Sequence, residues 1–454
     1  MVILIKVIYL ILSLSLLVFL HEMGHYITAR WFKIRVDKFY LFFDFLFPLP
    51  NVLKFSIFKK QVGDTEWGLG WFPMGGYVQI NGMIDESMDK ETMAQPEQPW
   101  EFRSKPAWQR LIVMLGGIIV NAILGILIFS GIMYKWGDMY LPTANVKYGI
   151  YADSLAQQMN LKTGDKILSV DHEQVENFNF IAAQIIFNNA HSIQIIRDSQ
   201  KMDIEIPKGM IGKLSKNKNE GFMDYRRKFV VGDVAAGSGA AKAGLQPLDR
   251  IISINDSNMQ FFDEVKPFLK NFKNKTIDVG ILRNGNVLKK QVYVSESGAM
   301  GVMLNDTLDL KFSMKHYSML GSVPAGYHKS LDIMSNYLKG LNQLFKSLFG
   351  KSELKASENV GGFISMGKMM PAEWGDWYGF WTLTGILSLV LAFMNLLPIP
   401  ALDGGHAVFC LYEMITQRKP SPKVLEYAQY VGMAILLALM VYANGNDVYR
   451  HFFK

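Results

Sequence analysis

Cysteine and charge are both scarce in this sequence. Cys410 is the single cysteine among 454 residues, which excludes an intrachain disulfide and a metal site built from clustered cysteines. Only 19% of the residues are charged, and the net charge of +7 is small for this length. Without a dense stripe of lysine and arginine, we expect no nucleic-acid partner. Half of the residues are hydrophobic, which is typical of a membrane protein with some soluble parts.

Four apolar segments predict four transmembrane helices, at residues 2–20, 111–134, 377–397 and 427–442. The first segment lacks a compact basic start and a small-x-small cleavage site, so we expect a retained span rather than a cleaved signal peptide. Positive residues follow the first span and lie between the third and fourth. Because positive loops stay in the cytoplasm, both termini are expected outside.

A His-Glu-x-x-His motif, residues 21–25, ends the first apolar segment. On a helix, His21 and His25 share one face and could hold one metal ion, and Glu22 could act as general base on the activated water. A hydrolytic zinc site takes three protein ligands. Position 31, where an extended motif would place a third histidine, is tryptophan. The third ligand should therefore come from another apolar segment.

The favoured third ligand is Asp403, just beyond the third span. A carboxylate beside a span is costly and is usually functional. Pro398 and Pro400 end the helix, and Gly404 lets the chain turn tightly, so irregular backbone could line a wet cavity there. Two alternatives stay open. Asp403 could cap a helix that starts near residue 407, or His406 could be the ligand.

Two stretches between the first two spans differ from ordinary loops. Residues 39–47 are strongly aromatic but too short to cross a membrane, which indicates a position at the membrane interface. Residues 54–83 have strand patterns with glycine turns. They predict either a small cytoplasmic hairpin or a hairpin that dips toward the metal and pairs with an extended substrate. Residues 84–101 should form an exposed loop.

A sequence repeat lies between the second and third spans. Residues 161–171 recur as residues 245–255, a spacing of one small domain. Each copy predicts a turn, an alternating strand and a helix, and the pattern resembles PDZ domains. Such domains bind chain ends by strand addition, or here act as steric filters. Residues 330–349 follow with the spacing of an amphipathic helix, at the outer membrane surface or against the second domain.

These motifs together resemble the site-2 protease family of intramembrane zinc metalloproteases, closest to the regulator of sigma-E protease type with tandem PDZ domains. The resemblance covers nearly the whole chain. It rests on the motifs at residues 21–25, 73–78, 102–106 and 395–404. The chain departs from the family at residues 116–117, which are Gly-Gly where the family often has Gly-Pro. The resemblance implies zinc held by His21, His25 and Asp403, Glu22 as base, and substrate contacts from Asn395 and from Gly75, Gly76 and Tyr77 on a re-entrant β-hairpin.

The expected fold is a polytopic α-helical membrane protein with four transmembrane helices, a membrane-associated β-hairpin and two PDZ-like α+β domains inserted between helices two and three. The expected segments are 1–37 (first helix), 38–108 (hairpin and loop), 109–135 (second helix), 136–222 and 223–310 (PDZ-like domains), 311–376 (amphipathic region) and 377–454 (third and fourth helices).

The resemblance also implies a function. It implies one zinc ion per chain and cleavage of single-span membrane proteins, such as anti-sigma factors or remnant signal peptides. The protein would be a monomer in the bacterial inner membrane, with periplasmic PDZ-like domains and the active site toward the cytoplasm. A PDZ scaffold for periplasmic tails is the main alternative, but it has no need for a base such as Glu22. A transporter is disfavoured by the soluble insert and the absence of inverted repeats in the spans.

Overall fold

The computed structural model describes residues 1–46, 53–73, 75–83, 96–216, 222–305, 308, 310–349 and 360–452. Its α-helices are α1 (Val2–Trp31), α2 (Ala107–Lys135), α3 (Ser154–Gln158), α4 (Ile181–Asn188), α5 (Met210–Lys216), α6 (Gly239–Lys242), α7 (Phe262–Leu269), α8 (Met319–Leu348), α9 (Phe363–Met369), α10 (Trp377–Leu396), α11 (Asp403–Thr416) and α12 (Pro422–Phe452). Its strands are β1 (Val36–Leu41), β2 (Ser56–Val62), β3 (Thr65–Gly70), β4 (Tyr77–Ile80), β5 (Asp138–Tyr140), β6 (Ile150–Ala152), β7 (Lys166–Val170), β8 (Glu173–Gln174), β9 (Ser192–Arg197), β10 (Gln200–Glu205), β11 (Met223–Tyr225), β12 (Val231–Val234), β13 (Arg250–Ile254), β14 (Ser257–Asn258), β15 (Lys275–Arg283), β16 (Asn286–Val294), β17 (Val302–Leu304) and β18 (Ser313–Lys315).

The chain divides into two compact units. The helical unit consists of Met1–Gly137, His316–Leu338 and Val360–Lys454. The inserted unit consists of Asp138–Lys315 and Lys339–Asn359. Four helices of the described residues, all in the helical unit, are long and apolar enough to cross a membrane: α1, α2, α10 and α12. They correspond to the four segments expected from the sequence.

Helices α1, α2 and α10 pack closely in the helical unit. A Cβ atom on Gly24 of α1 would lie only 2.4 Å from the carbonyl oxygen of Gly116 in α2. Because neither residue has a side chain, the two backbones can approach each other. Helix α10 is joined to α2 by a buried hydrogen bond of 2.7 Å, which Ser388 Oγ donates to the carbonyl of Asn121. These contacts bring the motif on α1 and the middle of α2 together.

Helix α12 is attached mainly near its ends. Its apolar window is 11% buried, against 44% for that of α2. Toward its N-terminal end, Gly432 lies directly against the backbone of Pro400. Toward its other end, the Asp447 carboxylate accepts hydrogen bonds of 2.8 Å from the amides of Gly362 and Ser365, at the start of α9. The middle of α12 therefore has few neighbours within the described residues.

The region between α1 and α2 forms a four-stranded sheet of order β2-β3-β1-β4. Strands β2 and β3 are the expected hairpin, but β3 also pairs in parallel with β1, and β4 pairs antiparallel with β1. The larger sheet needs long-range pairing that a local strand pattern cannot reveal. Of the loop expected at residues 84–101, residues 84–95 lie outside the described chain. Its last residue, Glu101, is buried rather than exposed.

The aromatic stretch expected at the membrane interface forms part of the sheet and its core. Phe39, Tyr40, Phe43 and Phe45 are each at most 8% exposed. Phe39 stacks on Trp67 with ring centroids 4.4 Å apart, and Tyr40 and Phe43 also have ring neighbours. These four residues are therefore buried by partners that lie far along the chain, and the position of the stretch at the membrane interface stays a prediction. Phe47 lies outside the described residues.

The inserted unit contains two sheets of one topology. Their orders are β8-β7-β9-β10 and β14-β13-β15-β16. In the sequence, helix α4 lies between β8 and β9, and helix α7 lies between β14 and β15. In the first copy Arg197 donates two hydrogen bonds to Asp165, and in the second Arg283 does the same to Asp249. The sequence repeat is thus visible as a structural repeat. Identification of the copies as PDZ domains, and their exact boundaries, stay predictions.

The expected amphipathic helix is longer than its sequence pattern. Helix α8 begins at Met319 rather than near residue 330 and includes Pro324. Gly326 explains the earlier start, because it lets α8 approach α2 so closely that a Cβ there would lie 2.3 Å from the Ser130 nitrogen. Residues 350–359 of this region lie outside the described chain.

Candidate active site

Two histidines and an aspartate converge inside the helical unit. His21 and His25 lie one turn apart on α1 and are 7% and 5% exposed. Asp403 is the first residue of α11. Its Oδ2 atom is 3.2 Å from Nε2 of His21 and 3.3 Å from Nε2 of His25, and the two Nε2 atoms are 3.3 Å apart. We call these three atoms the ligand triangle.

The ligand triangle has the dimensions of a zinc site. Nitrogen and oxygen ligands at tetrahedral angles around zinc lie about 3.3 Å from one another, given bonds of about 2.0–2.1 Å. Apart from the two Nε2 atoms, the buried Oδ2 atom of Asp403 has no hydrogen-bonding neighbour in the described part of the chain. A buried carboxylate oxygen in that state needs a compensating charge or ligand. The donor set of two imidazoles and one carboxylate therefore fits a zinc ion with a position left for water.

Helix α2 orients both histidine rings. The carbonyl oxygen of Val113 lies 2.9 Å from Nδ1 of His25, and the side-chain amide of Asn121 lies 3.2 Å from Nδ1 of His21. Between them on α2, Gly117 leaves the room that the rings need. A Cβ atom at position 117 would lie 2.5 Å from Nε2 of His25 and 2.6 Å from Cε1 of His21.

A tight loop between α10 and α11 brings Asp403 to the histidines. Pro398 and Pro400 end α10, and Ala401 adopts a φ of 82°. A Cβ on Gly404 would lie 2.4 Å from the carbonyl oxygens of Leu396 and Leu397, so this close turn requires glycine.

The two alternatives for this region, a capping role for Asp403 and a ligand role for His406, agree less well with the structure than a ligand role for Asp403. Leu402 is the N-cap residue of α11, and no side-chain capping hydrogen bond is made there. Asp403 therefore does not act as a cap. His406 lies outside the group of convergent ligand atoms, and its ring hydrogen-bonds Gln429 of α12 instead. A metal role for His406 has no geometric support in the described residues.

Glu22 lies next to the strand that was expected to contact substrate. Gly76 precedes β4, and a Cβ on it would lie 2.9 Å from Val18 Cγ1 and 3.6 Å from Glu22 Cγ. Gly75 adopts a φ of 146° and lies against the ring of Phe43. The two glycines therefore allow the backbone to run beside Glu22.

The third residue of this group, Tyr77, has its side chain directed into the sheet. Its hydroxyl donates a 3.0 Å hydrogen bond to Oδ1 of Asp44, and its ring stacks on that of Tyr40. Burial and the Asp44 carboxylate raise the pKa of Tyr77 far above its usual range, so the phenol keeps its proton. The side chain therefore holds the strand in place, and contact with substrate would come from the backbone.

Asn395 reaches the site from the last turn of α10. Its Nδ2 atom is 3.1 Å from Nε2 of His21. Sequence reasoning identified this residue but missed Val113, Gly117 and Asp44. Val113 acts through its carbonyl, which no residue pattern can indicate. The departure from the family pattern at Gly117 was the available signal for that position.

The arrangement defines a class of protein, a metallohydrolase with its centre among apolar helices. Comparison with known sequences gives the family. The family model of peptidase family M50, the site-2 proteases, matches residues 9–439, and the chain belongs to this family. A protein of Rickettsia conorii is 26% identical over 448 residues, covering 97% of this chain and 98% of that protein. A protein of Treponema pallidum is 25% identical over 464 residues, covering 98% and 99%.

Both relatives carry the name "putative zinc metalloprotease". Family membership and these names agree with the ligand triangle. The chain is therefore a zinc metalloprotease with Zn²⁺ as its cofactor, and its four apolar helices make it a membrane protein. This outcome favours the protease over the scaffold and the transporter.

Proposed function

We propose that the protein hydrolyses peptide bonds in or near the transmembrane segment of single-span membrane proteins. The observation that carries this proposal is the position of the ligand triangle. His21 and His25 are buried on α1, against the middle of α2, and both helices are long enough to cross a bilayer. A scissile bond that reaches these atoms has to enter from within or beside the membrane.

In this proposal His21 and His25 hold zinc through Nε2, and Asp403 holds it through Oδ2. When bound there, zinc supplies Lewis acidity, which activates water and polarises a peptide carbonyl. The Glu22 carboxylate takes the proton of the attacking water as the new C–O bond forms. It then gives that proton to the amide nitrogen as the C–N bond breaks.

A helical substrate has to unwind before it can be cut, because its peptide bonds are shielded by their own hydrogen bonds. In the membrane the released backbone groups need new partners. Strand β4 supplies them in our proposal. Among the described residues it is an edge strand of the sheet, paired on one side with β1, and it follows the Gly75-Gly76 segment beside Glu22. An extended substrate would add to its free edge, with Asn395 as a further contact.

The finer assignments follow the family resemblance. Substrates would be single-span proteins such as anti-sigma factors or remnant signal peptides, shortened first by another protease. The inserted unit, as a tandem of PDZ-like domains, would exclude proteins that have not been shortened. The protein would act as a monomer in the bacterial inner membrane, with both termini and the inserted unit periplasmic and the ligand triangle toward the cytoplasm.

The first prediction tests the residue roles. A panel of tagged single-span substrates is incubated in membranes with wild type, Glu22→Gln and Asp403→Ala, and the zinc content of each purified protein is measured. Glu22→Gln should lower cleavage by about 10²–10⁴-fold, the usual contribution of a general base, and keep its zinc. Asp403→Ala should lose both cleavage and zinc.

Asp256→Asn serves as the control, because its carboxylate lies in an exposed ion pair of the inserted unit. It should cleave as wild type does. Cleavage by Glu22→Gln at the wild-type rate would contradict the proposed catalytic role. Full zinc content in Asp403→Ala would contradict the ligand role of that residue.

A further inference from the structure

The amide of Asn121 has a hydrogen-bonding conflict beside the candidate metal site. Asn121 lies in the middle of α2 and is fully buried. Its Nδ2 atom is 3.2 Å from Nδ1 of His21. Its Oδ1 atom is also buried and has no hydrogen-bond partner within the described chain. A buried carbonyl oxygen without a partner is costly, so this placement of oxygen and nitrogen calls for an explanation.

The tautomer that metal binding requires resolves the conflict. For Nε2 of His21 to offer its lone pair to the ligand triangle, Nδ1 has to carry the ring proton. An Nδ1–H group needs an acceptor, and an amide nitrogen cannot accept. A half turn of the Asn121 amide places Oδ1 against Nδ1 of His21. The same turn gives the buried oxygen a partner, and it moves the amide nitrogen to the buried position that the oxygen leaves.

The neighbours of the two histidines agree with this tautomer. On the other side of the His21 ring, the amide nitrogen of Asn395 lies 3.1 Å from Nε2, which is a donor facing a lone pair. Nδ1 of His25 faces the carbonyl of Val113, which can only accept. With the Asn121 amide turned, helix α2 offers an acceptor to each ring. The acceptor of His25 is backbone and survives any substitution, whereas that of His21 depends on the side chain at position 121.

The backbone at position 121 is held independently of His21. Ser388 Oγ of α10 donates a 2.7 Å hydrogen bond to the carbonyl oxygen of Asn121, and both residues are fully buried. The backbone of Asn121 is therefore held by packing between α2 and α10 rather than by the histidine. An outer partner fixed in this way can select one orientation of a metal ligand before the metal arrives.

We propose that Asn121 is a positioning residue whose Oδ1 atom accepts the Nδ1 proton of His21. It thereby fixes the tautomer and the ring orientation that direct Nε2 toward His25 and Asp403. The proposal rests on the ligand role of His21 stated above. Outer partners of metal-bound histidines change metal affinity by about 10–100-fold, and we expect an effect of that size.

The test measures zinc affinity by chelator competition on the full-length protein in detergent. Asn121→Leu removes the acceptor at similar volume and should weaken zinc binding by about 10–100-fold. Asn121→Asp keeps an acceptor and should bind zinc at least as tightly as wild type. Ser130→Ala, on the same helix, removes a hydroxyl that donates to Ile126, and it should leave zinc affinity unchanged.

Two further measurements separate positioning from general damage. The visible spectrum of the cobalt-substituted protein should change in Asn121→Leu and not in Asn121→Asp, because only the first alters how His21 approaches the metal. The melting temperature of the metal-free protein should be similar in all variants. If Asn121→Leu does not fold, the affinity of Asn121→Asp alone decides, and a tenfold loss there overturns the acceptor role.

Unchanged zinc affinity in Asn121→Leu would overturn the proposal, and so would equal losses in the Leu and Asp variants. His21→Ala distinguishes this failure from a failure of the underlying site. If His21→Ala loses zinc while Asn121→Leu retains it, the ligand role stands and only the positioning role is wrong. If His21→Ala retains wild-type zinc affinity, the ligand assignment itself is wrong.

Discussion

A single hydrogen atom on Gly117 decides whether the two imidazole rings can lie side by side. A methyl group at that position would lie 2.5 Å from Nε2 of His25 and 2.7 Å from Nδ1 of His21. Both rings are buried, so neither can swing into solvent to make room. Moving α2 away from α1 to make room would open the close contact between Gly116 and Gly24.

Loss of an outer partner lowers metal affinity by about 10–100-fold, and we expect Gly117→Ala to lower zinc affinity by at least as much. Gly131→Ala is the matched control, since a Cβ at position 131 of the same helix meets nothing within 4 Å. It should bind zinc normally, and alanine should favour the helix slightly. Equal zinc affinity in the two variants, measured by chelator competition, would show that the histidine rings occupy other positions.

At this scale the sequence predicted the residues with distinctive chemistry and missed those that act by shape. The convergence of His21, His25 and Asp403 could be predicted, because two histidines one helical turn apart and a carboxylate beside a span are unusual. Gly117 could not be predicted as a spacer for two rings, since its contacts depend on how α1 crosses α2. Asn121 is a polar residue within the second apolar segment, but its partner lies 100 residues away in the chain.

Among the secondary-structure elements, strand β4 is preceded by a close backbone contact that leaves no room for a side chain. Gly76, just before β4, lies between the backbone of Tyr40 and the side chains of Val18 and Glu22. A Cβ at this position would be 2.7 Å from the Tyr40 carbonyl oxygen. Because that oxygen belongs to a central strand, the whole of β4 has to move if a side chain is added.

We expect Gly76→Ala to displace β4 from Glu22 and lower kcat/KM by about 10²-fold, the cost of a misplacement of about 1 Å in an active site. Zinc affinity should stay at the wild-type value, because the atoms nearest to a Cβ at position 76 belong to Tyr40, Val18 and Glu22 and not to the ligand triangle. Gly131→Ala again serves as the control and should cleave normally. Normal cleavage by Gly76→Ala would argue against substrate pairing at β4.

Elements with a local sequence pattern were predicted better than elements that depend on contacts between distant parts of the chain. The four spans have runs of apolar residues, and all four were found close to their expected positions. Strand β1 was missed, because Phe39 and Tyr40 have the composition of an interface stretch until Trp67 and Tyr77 cover them. The start of α8 was missed because Pro324 and Gly326 usually end a helix, while here the glycine allows contact with α2.

For the molecule as a whole, the inserted unit is stabilised by the same ion pair in both copies of its repeat. The carboxylates of Asp165 and Asp249 are each 1% exposed and face Arg197 and Arg283. Burial alone would raise the pKa of Asp249, but the hydrogen bonds from Arg283 and the Gln246 amide, together with the charges of Arg283 and Lys290, outweigh it and lower the pKa below 3.8. The folded state therefore prefers the ionised carboxylate.

This shift has a defined consequence for stability. A carboxylate with a depressed pKa stabilises the fold above its unfolded pKa, and the contribution is lost as the pH falls through the folded pKa. We expect Asp249→Asn to lower the melting temperature at pH 7 and to reduce its dependence on pH below about 4. Asp256→Asn is the control, because its ion pair with Lys289 is exposed and contributes little.

Circular dichroism melting of the purified protein between pH 3 and pH 7 would measure both effects. A melting temperature for Asp249→Asn equal to that of wild type across this range would show that the buried ion pair does not stabilise the unit. The whole-molecule organisation could be predicted from the internal repeat and the spacing of the spans. The arrangement of β1 to β4 could not, because β1 and β3 are parallel neighbours in the sheet although β2 lies between them in the sequence.

The order of the ligands along the chain has a consequence for biosynthesis. His25 and Asp403 are 378 residues apart in the sequence. At about 5–20 residues per second, a ribosome needs about 20–75 s to make that length. During most of this interval α1 and α2 have already been synthesised and are accessible to neighbouring membrane proteins. The proposed zinc site still lacks its carboxylate. With Asp403 as the proposed third ligand, a chain under synthesis that ends before α11 would be proteolytically inert.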